Sequence, residues 1–200
     1  MKQEREYRNM ELRTVPPGDD NAPTYRVDGY ASTFDEYTLM TIDDIDYKER
    51  IERTAFEGAD LSDVVFRLEH AGRVYARSSA GTVELETDDH GLAVHADLSK
   101  TPTARDVFAD IEAGNYPKMS FAFTVAEDHY DKATHTRIID RIAKVFDVSP
   151  VSFPANPGTE LGVATRDYFD GVIEAEKAER LEAEARDRQK QKIRILTEVI

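Results

Sequence analysis

The chain has 200 residues, 40% of them apolar and 33% charged, with no cysteine and no tryptophan. That is enough apolar content for a packed core in one ordinary domain plus an appendage, so wholesale disorder is excluded, and the missing cysteines exclude disulfide frameworks, thiol nucleophiles and thiolate metal sites. Forty acidic against 26 basic residues give a net charge of −14, which repels phosphate backbones and anionic lipid, so neither nucleic acid nor a membrane is expected as a partner.

No apolar run approaches the roughly 20 residues that span a bilayer. The opening MKQEREYRNMELR lacks the apolar stretch of a secretory signal. Tyr7 to Val15 reads as a strand or arm, ended by Pro16-Pro17-Gly18 and the polar residues up to Pro23. Thr24 to Phe34 is rich in aromatic and β-branched residues and reads as a strand, with Gly29 as its bulge. Polar residues follow through Asp46. In Tyr47 to Leu61, Ile51, Ala55 and Phe56 suggest one helical turn ended by Gly58. Asp63 to His70 contains a buried-strand run, and Val74–Ala76, Thr82–Glu86 and Leu92–Leu98 are further short strands separated by Gly72, Gly81 and Asp89-His90-Gly91.

The spacing predicts a helix over Pro102 to Ala113. Thr101 is its N-cap, Pro102 takes the first position, and Gly114 stops it. Ala104, Val107, Phe108 and Ile111 form its buried stripe. Lys118 to Val125 alternates: Met119, Phe121, Phe123 and Val125 share one face, Ser120, Ala122 and Thr124 the other. Arg137 to Ser149 is a longer strand, and Pro150, Pro154 and Pro157 close the body. From Val172 onward there is no proline or glycine, and acids crowd the first half and bases the second. This reads as a charged helix with a weak apolar stripe and an apolar end suited to docking. The segments are thus an N-terminal strand or arm with its loop (1–23), a folded body (24–168) and a charged helical tail (169–200). The fold class is α+β, a strand-rich bent sheet or β-barrel with few surrounding helices and a C-terminal charged helix.

No phosphate-cradling glycine motif and no H-E-x-x-H occur, and the histidine spacings do not suit a metal site. No metal or other cofactor is expected. Three residues stand in settings that suit chemistry. Ser120 opens an alternating strand with its neighbours pointing into the core, which puts its hydroxyl on the opposite face, where a substrate could lie. His70 ends an apolar strand. Asp147 sits inside the apolar Val145–Ser149 run, where a carboxylate is costly unless paired. A serine hydroxyl needs a base, neutral imidazole is one near pH 7, and a carboxylate behind the ring fixes its tautomer. Each residue also has an ordinary reading: His70 as a half-exposed structural residue, Ser120 as a solvated one, Asp147 as a partner of Arg141 or Lys144.

The order of segments resembles the prohead proteases, the maturation-protease family of HK97-like tailed phages, from about Tyr25 to Gly158. The matching pieces are GYASTF (Gly29–Phe34), YKERIERTAFEGA (Tyr47–Ala59), the strand ending in His70, and TVELETDDHGLAVHADL (Thr82–Leu98). They continue with the I-x-x-G-x-x-x-x-x-S-F-x-F passage (Ile111–Phe123) and VFDVSPVSFPANP (Val145–Pro157). The resemblance implies a body that is a protease domain with a fold like that of the herpesvirus assembly proteases. It assigns Ser120 as nucleophile, His70 as general base and Asp147 as third member. Backbone amides near Ser149–Pro157 or in a loop are candidate oxyanion donors. The chain departs from the family in having Glu69 where Asn usually precedes the histidine, Ala76-Arg77 where Gly-Arg is frequent, and Asp147 where many relatives have Glu.

The function implied is a serine endopeptidase that cleaves scaffold and capsid proteins, and itself, during prohead maturation. It would act in the cytoplasm of the infected cell, inside the assembling procapsid. Its partners would be the major capsid protein or scaffold, with self-association, and the tail would either dock on them or be removed by self-cleavage. The competing reading is a non-catalytic capsid-assembly or scaffolding module of the same fold. A cellular esterase would need the G-x-S-x-G elbow, which is absent.

Overall fold

The computed structural model describes residues 5–14, 25–152 and 163–198. It forms two units, Met1–Gly162 and Val163–Ile200. Among the described residues the first unit contains ten strands: β1 (Glu6–Thr14), β2 (Arg26–Thr33), β3 (Tyr37–Ile42), β4 (Ile45–Ile51), β5 (Val65–Leu68), β6 (Ala71–Arg77), β7 (Val83–Thr87), β8 (Gly91–Asp97), β9 (Lys118–Asp131) and β10 (Thr136–Val151). Helix α1 (Pro102–Glu112) lies between β8 and β9 in the chain, and α2 (Val163–Glu198) makes up the second unit.

The strands follow the order β3-β4-β10-β9-β1-β2-β8-β7, with β5 on β10 and β6 on β5. β1 links two sheets: Glu6–Glu11 pair with β9, and Leu12–Thr14 pair with β2. β10 is 16 residues long. One of its edges carries β9; the other carries β4 near its start and β5 near its end, both parallel to it. The architecture is α+β and strand-rich, as expected, but the sheet is not closed into a barrel. Closure requires the end strands to pair, and among the described residues β3 and β7 end the path without meeting.

Both sheets bury one side in a single core. Val27, Ala31, Leu92, Val94 and Ala96 come from one, Phe66, Phe121, Phe123, Val145 and Val148 from the other. Helix α1 adds Ala104, Val107, Phe108 and Ile111, the stripe its sequence predicts. The Thr101 hydroxyl accepts the Ala104 amide at 3.1 Å, and Gly114 follows in the left-handed region (φ 82°). Phe121 and Phe123 stack with ring centroids 4.4 Å apart.

Four expectations are corrected. The polar stretch before Asp46 forms β3 and starts β4, whose outward residues hid the strand signal. The helical turn expected around Ile51–Phe56 is the end of β4 followed by tight turns (Ala55 N–H to Glu52 O, Glu57 N–H to Thr54 O). The bulge of β2 lies between Tyr30 and Ser32, not at Gly29. The glycine required nearby is Gly91 on β8: a Cβ there would lie 1.9 Å from the Ser32 carbonyl oxygen. Finally, the long helix starts at Val163, ahead of Val172, and its residues from Lys177 to Arg194 are all exposed. The loop expected over 16–23, the prolines at 154 and 157 and most of the candidate oxyanion segment lie outside the described residues.

Candidate active site

Ser120 lies on β9 between two partners. In register it faces Ser149 of β10 on one side and Asn9 of β1 on the other. Its face is not the open one the alternation suggests. Every residue from Met119 to Thr124 is buried, and Ser120 is 2% exposed. β9 is an interior strand, and the Ser120 side is covered by the turn carrying His70 and by Tyr7, whose ring meets the His70 ring edge-on at 4.5 Å.

His70 does not end a strand; it sits in the two-residue turn joining β5 to β6, closed by the Leu68–Ala71 pair. Glu69 and His70 both have positive φ, 50° and 54°. This is the I′ turn pattern that matches the twist of a hairpin. Each non-glycine residue held there costs about 1–2 kcal/mol. β5 runs parallel to β10 with Phe66 opposite Val148, so the turn arrives beside the strand that carries Asp147.

Asp147 reaches the site through a register change. Val145 pairs with Phe123, but Asp147 pairs with Ala122 and Ser149 with Ser120. An unbroken register would set Asp147 opposite Phe121, on the core face. The extra residue at Phe146 shifts the pairing by one and turns Asp147 to the Ser120 side.

The three side chains meet. His70 Nδ1 is 2.6 Å from Asp147 Oδ1, and His70 Nε2 is 2.7 Å from Ser120 Oγ. A carboxylate only accepts, so Nδ1 carries the proton and Nε2 is left to accept from the serine hydroxyl. The Ser149 hydroxyl donates to the same Asp147 oxygen at 2.8 Å. The other partners considered for Asp147 are engaged elsewhere, Arg141 with Glu127 and Lys144 with Asp60. Histidine–aspartate contacts are not rare in this molecule: His95 meets Asp28 at 2.7 Å and His129 meets Asp140 at 2.6 Å. At His70 the carboxylate on one ring nitrogen is joined by a serine hydroxyl on the other.

Residues 9–171 match the family model of the caudovirus prohead serine proteases. The chain belongs to that family. The prohead protease of Enterobacteria phage HK97 is 33% identical over 89 residues, which is 44% of this chain; the match spans 39% of that relative's length. The solved structure of the bacteriophage T4 capsid assembly protease covers 77% of this chain and is itself covered completely, at 11% identity and a TM-score of 0.44.

The part of this prohead protease family member that presses Tyr7 on His70 is fixed by buried charge. On the other face of β1, Arg8 donates to Glu49 at 2.5 and 2.6 Å and to Glu6 at 3.0 Å. Arg137 donates to both Glu6 oxygens (2.7 and 3.0 Å) and to Asp128 at 2.6 Å. The Tyr37 hydroxyl donates to Glu49 at 2.5 Å. Burial works against the Arg8 charge, yet Glu49, Tyr37 and Glu6 hold its pKa well above the ordinary value. Burial and the facing Glu49 push the Tyr37 phenol well above its own. Residue-by-residue reading missed Tyr7, Ser149 and this cluster. The alternation of Glu6, Arg8 and Tyr7 in a strand was the available signal. Among the described residues no group of three His, Asp or Glu side chains is arranged to hold a metal ion.

Proposed function

We propose that this chain is a serine endopeptidase of prohead maturation, with Ser120 as nucleophile, His70 as general base and Asp147 as the third member. The observation that carries the reading is the continuous contact from Asp147 through His70 to Ser120, in a member of a prohead serine protease family.

The chemistry follows from the tautomer. As Ser120 Oγ attacks the scissile carbonyl carbon, its proton passes to His70 Nε2. The imidazolium so formed lies against the Asp147 carboxylate, which stabilises it without taking the proton. When the C–N bond breaks, Nε2 returns the proton to the leaving amine. An ester on Ser120 remains. Water then gives a proton to Nε2 and attacks the ester, releasing the new carboxyl end and restoring the serine hydroxyl. No cofactor takes part. The substrates would be scaffold or capsid proteins and the chain itself, inside the assembling procapsid in the infected cell. The exposed, charge-segregated stretch of α2 is the part offered to such partners or to a second copy.

Ser120→Ala tests this directly. Concentrated parent chain should give discrete self-cleavage products and be labelled on Ser120 by a fluorophosphonate. The variant should do neither while keeping its far-ultraviolet dichroism. Equal self-cleavage by parent and variant would refute the nucleophile. An unreactive parent that still joined assembling shells would leave the scaffolding module as the better description.

A further inference from the structure

We infer that Glu69 is a positioning residue: it holds the left-handed Glu69–His70 turn on the end of β10 and so keeps the His70 ring in line between Asp147 and Ser120. This rests on the serine-protease reading above.

The backbone poses the problem. Two consecutive residues occupy the region that glycine and asparagine favour, yet neither is of that kind. The turn therefore needs an external hold, and Glu69 supplies it with three hydrogen bonds. Its backbone N–H donates to the Pro150 carbonyl at 3.1 Å. Its carboxylate Oε1 accepts the Ser152 backbone N–H at 2.8 Å and the Ser152 hydroxyl at 2.6 Å. All three reach Pro150 and Ser152, on or just past the strand that carries Asp147. Glu69 thus links the turn bearing the imidazole to the strand bearing the carboxylate, at a turn whose two residues both hold the left-handed conformation.

The side chain is exposed and touches neither Ser120 nor Asp147, so its effect must pass through the position of His70. A displacement of about 1 Å at a reacting group can cost on the order of 100-fold in rate.

The test uses the full chain and a fluorophosphonate probe. Glu69→Ala should lower the inactivation rate constant for Ser120 about 10- to 100-fold with little change in the half-saturating probe concentration, as expected for misplacement rather than lost binding. Glu69→Asn, which tolerates the left-handed conformation unaided, should return most of the rate. In a Ser120→Ala background, where no chemistry or self-cleavage intervenes, the downfield His70 Nδ1 proton resonance should vanish with Glu69→Ala and persist with Glu69→Asn. Glu69→Ala reacting at the parental rate would overturn the inference. So would equal impairment of both variants, or a proton resonance indifferent to Glu69→Ala. A parent that fails to label on Ser120 would sink the protease reading instead, while the resonance still decides whether Glu69 holds His70 on Asp147.

Discussion

Replacing Asp147 by Asn separates two jobs of the carboxylate, because the structure predicts that only one of them is lost. The His70 Nδ1 proton and the Ser149 hydroxyl both fall on a single Asp147 oxygen. In Asp147→Asn the Ser149 hydroxyl can keep donating only to an amide oxygen; with the NH2 group turned toward it the hydroxyl could accept, but its own fully buried proton would lose the Asp147 acceptor. Ser149 therefore selects the amide orientation with its oxygen toward the ring. His70 keeps its proton on Nδ1 and Nε2 stays free for Ser120. What disappears is the negative charge that meets the imidazolium. For charge centres about 4 Å apart at an effective dielectric of 20, that is on the order of 4 kcal/mol, or about 1000-fold in rate. Adding Ser149→Ala frees the amide to turn its NH2 to Nδ1. That forces the proton to Nε2, which then cannot accept from Ser120, so the double variant should lose at least a further ~10-fold. Ser149→Ala alone should cost only a few-fold, on the order of one neutral hydrogen bond, since a carboxylate has no wrong orientation. The measurement is the second-order rate of fluorophosphonate labelling of Ser120, read by intact mass, for parent, both single variants and the double. Asp147→Asn reacting within about 3-fold of the parent would refute the electrostatic role. Equal cost of Ser149→Ala on the aspartate and asparagine backgrounds would refute the orientation argument.

Glu49 is fully buried and accepts from Arg8, Tyr37 and Arg137. Glu49→Gln removes one of the two carboxylates that Arg8 and Arg137 share, Glu6 being the other, and leaves the buried cluster with less counter-charge, which costs up to about 3–5 kcal/mol. The thermal midpoint should then fall by roughly 10 °C for a chain of this size; a midpoint within 2 °C of the parent, on the order of measurement scatter, would show the cluster to be dispensable. At low pH, burial works against the Asp97 charge, but bonds from Ser99 and the nearby Lys100 hold its pKa down at about 2; Asp28 and Asp88 are also lowered, Asp28 by Arg26 and His95 against burial, Asp88 by Tyr30 and the Gly91 and His90 amides. A carboxylate lowered in the folded state stabilises it fully above the unfolded value near 3.9 and loses that contribution as pH falls through the folded value. The thermal midpoint should therefore decline between about pH 4 and pH 2, and less steeply in Asp97→Asn. A flat profile over that window would contradict the assignment.

Local chemistry carried much of the fold into the sequence. Helix α1 was legible because its cap, its first proline, its stripe and its stop all agree. β7, β8 and β9 were legible because apolar runs alternate between turn residues. β3 and β4 were not, since their exposed positions are charged or polar and their burial depends on neighbours far along the chain. The Gly29 expectation failed for a related reason: which strand needs a glycine is set by the approach of β8 to β2 at Ser32, and that contact exists only after pairing.

At the site the residue types were legible and their arrangement was not. Strand alternation alone makes Asp147 and Val145 share a face, and Val145 is core. Read with period two, the sequence therefore buries Asp147 among apolar side chains and points it away from Ser120. One inserted residue at Phe146 reverses that outcome, and no residue in VFDVS marks the position as glycine or proline would. The left-handed turn at Glu69 and His70 is nearly as silent: histidine enters that region more readily than most residues, but glutamate does not, and no glycine or asparagine marks the turn. Both irregularities lie beside the same imidazole, and each brings one member of the proposed triad within hydrogen-bond reach of the others. Regular structure supplies the rigid frame of β9 and β10. The departures from regularity aim the side chains, and their cost is met by Ser149, Ser152, Glu69 and Tyr7, residues whose part becomes visible only once the strands are paired.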